Sequence, residues 1–240
     1  MLKQSVFLLI IFMILFSGCS LFRLLDPYDE HTVTDIDGNV YQTVLIGKQE
    51  WMAENLRVTH YRNGDTIQGN LRGSDWYSIN HGAYFKYDGD MDGDKIYGKL
   101  YNWYAVADKR GLCPKGWNVP TDADWKQLEI YLGMPPEEAD EYGARGTNEG
   151  GKLKEKGVVW NSPNEGATNE TGFSALPGGY VGGFYFIGLF GSWWTATEVH
   201  EMNAWSRLLD HYTAKVYRLS NDKGEGFSVR CIRSEMTNNK

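Results

Sequence analysis

The sequence predicts a mixed α+β domain, with short strands joined by tight turns around one well-marked helix. Three observations carry this. The string TVTDIDGNVYQTVLIGKQEWM, from residue 32, reads as strand, turn, strand, turn, strand. In the middle of the chain PTDADWKQLEIYLG has the start, stripe and stop of a helix. In the last third FGSWWTATE, NAWSRLLD, AKVYRLS and GFSVRCIR are short β-prone runs separated by turn residues.

In chain order, the first element is not part of that domain. One positive charge, Lys3, precedes the apolar run SVFLLIIFMILF at 5–16. A bilayer-spanning helix needs about 20 apolar residues, so the run fits the core of a secretory signal. Ser17, Gly18 and Cys19 follow. Small–small–Cys after such a run resembles the bacterial lipobox, whose cysteine is acylated, for example with palmitate, and becomes the new N-terminus. Phe16 departs from that pattern, which usually has leucine or another aliphatic residue there. The expectation is a lipoprotein signal peptide over 1–18, lipid on Cys19, and a tether over 19–31. Several acyl chains would hold the membrane durably, where one chain anchors weakly. Ser20 follows the cysteine; by the enteric-type sorting rule this implies the outer membrane of a bacterial cell envelope, with periplasmic face and cell surface both open.

The domain proper is expected over 32–234, with 235–240 as a tail. Asp37-Gly38-Asn39 is a hairpin turn signal. Val40, Gln42, Val44 and Ile46 alternate with Tyr41, Thr43 and Leu45; both sets are largely apolar, which predicts a strand buried on both faces. Residues 57–95 are polar, glycine-dotted and aperiodic, and a loop of that length is usually functional. GKLYNWYAV at 98–106 fits strand or helix equally. Thr121 as N-cap, with Asp124 three residues on, approximates a capping box. Trp125, Leu128, Tyr131 and Leu132 form one face, and Gly133 ends the helix. GGKLKEKG is a weaker second helix.

The chain has 240 residues and a formal net charge of −7, which argues against nucleic acid and anionic membrane surfaces as partners. Nine tryptophans, 15 tyrosines and 28 glycines suit a loop-rich extracytoplasmic domain with an aromatic core. Besides Cys19 there are two cysteines, Cys113 and Cys231. Outside the cytoplasm such a pair is usually oxidised, the alternative being two buried thiols.

The strings DIDGNVYQTVLIGKQEWMAENL, YGKLYNWYAV, LCPKGWNVPTDADWKQLE, GGKLKE, WNSPNEGATNETGFSALPGGY, FGSWWTATE, AWSRLL and GFSVRCIR occur in that order. Together they closely resemble the Fibrobacter succinogenes major paralogous domain family, over about residues 32–233. Its members are mostly uncharacterised secreted proteins or lipoproteins. The ending is similar to the last strands of C-type-lectin-like domains and of the formylglycine-generating oxidases that share their fold. The resemblance implies a C-type-lectin-like domain with a twisted antiparallel sheet, one or two helices and long loops. It also implies a bridge from Cys113, near the first helix, to Cys231 on the final strand.

The calcium-dependent sugar lectins of that fold carry Glu-Pro-Asn or Gln-Pro-Asp, and Trp-Asn-Asp. This chain has Ser162-Pro163-Asn164 and no Trp-Asn-Asp, so their sugar–calcium site is not expected. Asp88, Asp90, Asp92 and Asp94 alternate in YDGDMDGDK, half of an EF-hand-like calcium motif; position 12, where a bidentate Glu belongs, is Lys99. A solvated acidic turn is the competing reading. Trp193, Trp194, Tyr180, Phe184, Tyr185, Phe186 and Trp205 are candidates for stacking on sugar rings, with core as the expectation for Trp193-Trp194. Tyr185 and Trp205, flanked by glycine or polar residues, are the expected exposed anchors, with Asn203 and Arg207 as polar neighbours.

Signals for an enzyme are weak. Five histidines are scattered without metal-ligand spacing, and no nucleophile elbow, P-loop or dinucleotide fingerprint occurs. The oxidases named above use a cysteine pair, which the bridge would consume here. The leading expectation is a membrane-anchored, non-enzymatic binding or adhesion module for a polysaccharide or protein, with recognition on loops 57–95 and 134–150. The alternatives are an enzyme, either of the formylglycine-generating type or a carbohydrate-active hydrolase, and a structural envelope lipoprotein.

Overall fold

The computed structural model describes residues 31–69, 71, 74–87, 93–181 and 186–233. The signal over 1–18, Cys19, the tether up to residue 30 and the tail 235–240 lie outside the described residues, as do Asp88, Asp90, Asp92 and Tyr185.

The N-terminal reading holds: β1 (Thr32–Thr34), β2 (Val40–Ile46) and β3 (Gln49–Met52) follow one another through two turns. The first turn is organised by Asp35. Its carboxylate accepts the backbone N–H groups of Asp37 and Asn39 at 2.9 Å each, the Asn39 amide at 2.8 Å and the Tyr41 hydroxyl at 2.6 Å. Gly38 turns the chain at φ +81°, which a side chain would resist. The expectation that β2 is buried on both faces holds in part: Tyr41 and Thr43 are buried on one face and Ile46 on the other, in a second core with Val44 against it. Each face is also open at one end, where Val40 and Leu45 are 50% and 68% exposed.

The long segment that follows is not wholly irregular. It holds the short helix α1 (Ser74–Tyr77), strand β4 (Tyr84–Phe85) and helix α2 (Gly93–Tyr97). The ambiguous GKLYNWYAV is both things in turn, strand β5 (Leu100–Tyr101) and helix α3 (Trp103–Val106). Asn102 marks the switch: its side-chain oxygen accepts from Ala105 N at 3.1 Å as a cap and from Ala83 N at 3.0 Å across to the neighbouring strand.

Helix α4 (Asp122–Tyr131) has the capping box in full, with Thr121 and Asp124 each serving the other's backbone N–H. Trp125, Leu128 and Leu132 are buried as expected, but Tyr131 is 64% exposed. Its ring lies over Gly47, where an added Cβ would come within 2.8 Å of it. Two short helices follow, α5 (Pro136–Ala139) and α6 (Glu149–Leu153), with strand β6 (Gly143–Arg145) between them.

The last third forms the strands β7 (Phe190–His200), β8 (Asn203–Asp210) and β9 (Val216–Asp222), then β10 (Ile232–Arg233). Among the described residues the sheets are antiparallel, ordered β1-β2-β3-β10, β4-β5 and β6-β9-β8-β7. The fold class is therefore α+β.

Consecutive strand residues face opposite sides of a sheet, so Trp193 and Trp194 enter two different cores. Trp194 packs with Tyr41, Met52, Phe227 and the cysteines. Trp193 packs with Trp51, Trp125 and Phe173 under α4. Both tryptophans have no exposed surface. Trp51, Trp125 and Phe173 meet edge to face with ring centroids 5.1–5.7 Å apart, the geometry aromatic quadrupoles favour. Cys113 and Cys231 are joined by a disulfide, with their Cα atoms 5.9 Å apart.

Helix α4 is also held electrostatically. Arg145 reaches both oxygens of Glu129 at 2.9 and 3.0 Å, and Arg218 reaches both oxygens of Asp122 at 2.9 Å each. Arg207 joins the two, at 2.6 Å to Glu129 and 2.7 Å to Asp122. Burial pushes the Asp122 carboxyl up, but the hydrogen bonds from Arg218 and Arg207 and their charge outweigh it and hold the group below the usual carboxylate range.

Candidate functional site

Several charged side chains share a cleft of about 820 Å³. One wall is the β1–β2 turn. Because Asp35 fixes that turn, the Asp37 carboxylate projects to the following loop. There one of its oxygens accepts the Thr59 backbone N–H and the Thr59 hydroxyl, the latter at 2.8 Å, and the other meets His60 Nδ1. Burial pushes the Asp37 carboxyl up; the hydrogen bonds from Thr59 and His60, with the charge of His60, outweigh it and hold it below its ordinary value.

Further lining comes from the segment after β3. Arg57 stacks on the buried Tyr41 ring at 4.4 Å and donates to Glu54 at 3.1 Å and to the Val40 carbonyl at 2.8 Å. Glu54 in turn accepts the Gln42 backbone N–H at 2.9 Å. The floor is supplied by α2 and the residues after it. Asp94 accepts Tyr87 N at 3.1 Å and pairs with Lys99, whose ammonium lies 4.9 Å from the centroid of the Tyr84 ring. Burial and the charges of Asp94 and Asp37 push the Tyr84 phenol up, which places its ring in the field of both carboxylates. Asp37, Glu54 and Asp94 thus face Arg57, Lys95 and Lys99, three acids against three bases.

A smaller cavity of about 240 Å³ lies beside the disulfide, lined in part by Ile36, Val58 and Arg62. Arg62 is committed there to the carbonyls of Cys113 and Trp117 at 2.8 and 2.7 Å.

The family model described as the Fibrobacter succinogenes major domain matches residues 44–233. The chain belongs to this family. No curated protein and no solved structure matches it. In this Fibrobacter succinogenes major domain the matched span supplies the Glu54–Arg57 wall, Thr59 and the floor of the cleft, while the wall at 37–40 lies before it.

Of the described residues singled out in the sequence, Asn203, Trp205 and Arg207 alternate along one face of β8, but they do not form an open site. Trp205 is half-buried, with the Arg218 guanidinium 3.4 Å from its ring centroid and Tyr142 at 6.5 Å. Asn203 is half-buried at the start of β8, opposite Asp222. Arg207 was expected to offer donors beside the indole. It has no exposed surface, and Asp122 and Glu129 take its guanidinium. It shares the Trp205 face of β8, but two residues further along that face lies under α4. Tyr180 is half-buried and stacked on Phe186 at 5.3 Å, which covers part of each ring.

Of the four aspartates considered for calcium, Asp94 is described, and its oxygens are taken by Tyr87 N and Lys99. The residue that stood against the EF-hand reading, Lys99, therefore places its ammonium on the last aspartate of the series. Among the described residues no group of three or more His, Cys, Asp or Glu side chains is placed to hold a metal ion.

Sequence reasoning marked 57–95 as functional, and Arg57, Thr59, Asp94 and Lys95 come from it. It took Asp37 only as a turn residue and Lys99 only as the residue that breaks the calcium motif, and passed over Glu54. The available signal was the acid-rich turn Asp35-Ile36-Asp37 before a strand, which offers one carboxylate to fix the turn and another to face outward.

Proposed function

We propose that this domain is an extracytoplasmic recognition module on a C-type-lectin-like frame, lipid-anchored through Cys19 at the outer membrane, with the cleft as its ligand site. The observation that carries the reading is the state of the cleft's polar groups. Glu54, Arg57, Asp94 and Lys99 are paired and oriented before any ligand arrives, and Asp37 is kept ionised by Thr59 and His60. Fixed donors and acceptors recognise; a proton-transfer catalyst instead needs a group poised near the working pH. No helix among the described residues is long and apolar enough to cross a membrane, so the anchoring proposal rests on the N-terminal sequence.

Two experiments test this. An array of glycans and proteins probed with the soluble domain should give a hit that Arg57→Ala and Asp37→Asn abolish while the melting temperature holds; a hit indifferent to both changes removes the cleft from the function. For the anchor, Cys19→Ala should abolish incorporation of labelled palmitate, and normal labelling of that variant would refute lipidation.

A second reading, an enzyme, is favoured by Glu225. This half-buried carboxyl is pushed up by burial and by the charge of Asp222, against the hydrogen bond from Asn221. Such a group can act as a general acid. Chemical change of an array ligand after long incubation would support it, and quantitative recovery of intact ligand would dismiss it.

A further inference from the structure

We propose that the ligand of this cleft is a neutral saccharide, gripped through adjacent hydroxyls by the two acid–base pairs Glu54–Arg57 and Asp94–Lys99. This rests on the reading of the cleft as the ligand site and names the chemistry that fits it. The charges that line the cleft cancel, three against three. At these two pairs an anionic ligand would have to displace Glu54 from Arg57, at 3.1 Å, or Asp94 from Lys99. Exchanging one ion pair for another gains little. A cationic ligand meets the same obstacle from the other side.

A hydroxyl has no such competitor. It donates to a carboxylate lone pair and accepts from a remaining N–H without breaking the pair. Glu54 uses one oxygen for Gln42 N and one for Arg57, and each carboxylate oxygen has a second lone pair to offer. Arg57 uses Nη1 and Nη2 once each, and each of these nitrogens carries a second N–H. Side-by-side donor and acceptor groups match neighbouring hydroxyls on a sugar ring, and hydrogen bonds to charged groups are the stronger kind.

The remaining lining agrees. Val40, half exposed on the wall, is the apolar side chain there and can cover a sugar's C–H face. A peptide ligand would instead need several apolar pockets for alternate side chains. The volume of about 820 Å³ lies in the range of small-molecule sites, roughly 300–1,000 Å³.

The test uses affinity electrophoresis of the full mature chain through gels containing neutral polysaccharides (a xyloglucan, a galactomannan, a mixed-linkage glucan) or acidic ones (polygalacturonate, a sulfated glycan). At least one neutral polysaccharide should retard the protein. Glu54→Gln should weaken that retardation at least about tenfold, the loss of one good hydrogen bond to a charged group, at an unchanged melting temperature. Raising salt about tenfold should change it little, because exposed charge–charge attraction is not its source. Retardation confined to acidic polysaccharides, salt-sensitive and lost in Arg57→Ala, would overturn the saccharide class proposed here and leave the cleft as the site. The same split follows if no polysaccharide binds but a protein hit depends on Arg57. Neutral binding unaffected by Glu54→Gln and Arg57→Ala would overturn both.

Discussion

Arg207 shows how a side chain's role is set by its partners. By flanking residues it was a surface donor beside an indole; in the fold it ties Asp122 and Glu129 together with no exposed surface. Removing one partner of a buried ion network leaves the others charged and unpaired. Arg207→Ala should therefore destabilise by about 3–5 kcal/mol in urea titrations. A loss under about 1 kcal/mol, the scale of a surface pair, would mean water reaches Asp122 and Glu129. Lys154 is a second buried cation with an unusual setting. Its ammonium donates to the backbone carbonyls of Glu165, Asp210 and Thr213 at 2.8, 2.9 and 3.0 Å, and Trp160 lies 5.5 Å away. It pins the 161–165 turn to the loop after β8. Burial pushes it down to about 8, against the charges of Asp210 and Glu165.

At the level of elements, helix α4 was the clearest reading because its information is local. A capping box, an apolar stripe and a terminal glycine each act within a few residues. Thr121→Ala removes the side-chain acceptor of Asp124 N, at 3.1 Å, and should cost about 1 kcal/mol. Thr121→Ser should cost a small fraction of that; equal losses for the two changes would show that the methyl group, not the hydroxyl, matters. The stripe was less reliable than the cap, since Asp122 and Glu129 on the same helix are buried and Tyr131 is not. Local pattern gives the helix, while the arginines on β6, β8 and β9 decide which of its charged residues turn inward.

For the molecule as a whole, the bridge between Cys113 and Cys231 closes a loop of 118 residues in sequence. The chain-entropy account gives such a loop about 4–5 kcal/mol, and loss of native bridges typically costs 2–5 kcal/mol. The paired variant Cys113→Ala/Cys231→Ala should lose about that much, read as a lower urea midpoint with a steeper slope, because the denatured chain without the crosslink exposes more surface; an unchanged midpoint would refute the estimate. The pH profile follows from buried groups of both signs. Lys154 has a folded value of about 8, below its ordinary 10.5. The unfolded chain holds the proton more tightly, so stability rises with pH across that window. Tyr41, Tyr87 and Tyr101 behave oppositely. Burial pushes each phenol above its ordinary 10.0, helped at Tyr41 by the hydrogen bond to Asp35, at Tyr87 by nearby Tyr97 and Asp94, and at Tyr101 by Tyr41 and Asp35. Their contribution is complete below pH 10 and is lost as pH climbs toward the folded values. These groups should therefore make stability rise from about pH 8 to a maximum near pH 10, with the rise flattened in Lys154→Met. These tyrosines should ionise only as the fold is lost, which tyrosinate absorbance followed beside circular dichroism checks. Smooth titration of every tyrosine in the folded state would contradict their burial.

Much of this was legible in the sequence wherever the governing interactions are local. The first three strands and their turns, the capped helix, the last-third strands and the family itself could be read directly, because turn glycines, caps and alternating patterns act over a few residues. The cysteine pairing followed from counting, from the address that the N-terminal sequence leads one to expect and from the family resemblance. Tertiary structure alone decided the rest. It put Trp193 and Trp194 into separate cores, since adjacent strand residues face opposite sides and here both sides are covered. It left Val40 and Leu45 exposed, one at either end of β2 and on opposite faces, and buried Arg207. It also assembled the cleft from residues between 37 and 99, set apart in sequence and joined by the turn that Asp35 fixes and the ring of Tyr41 under Arg57. Which charges meet which depends on packing between distant segments, and no local window of the sequence contains it.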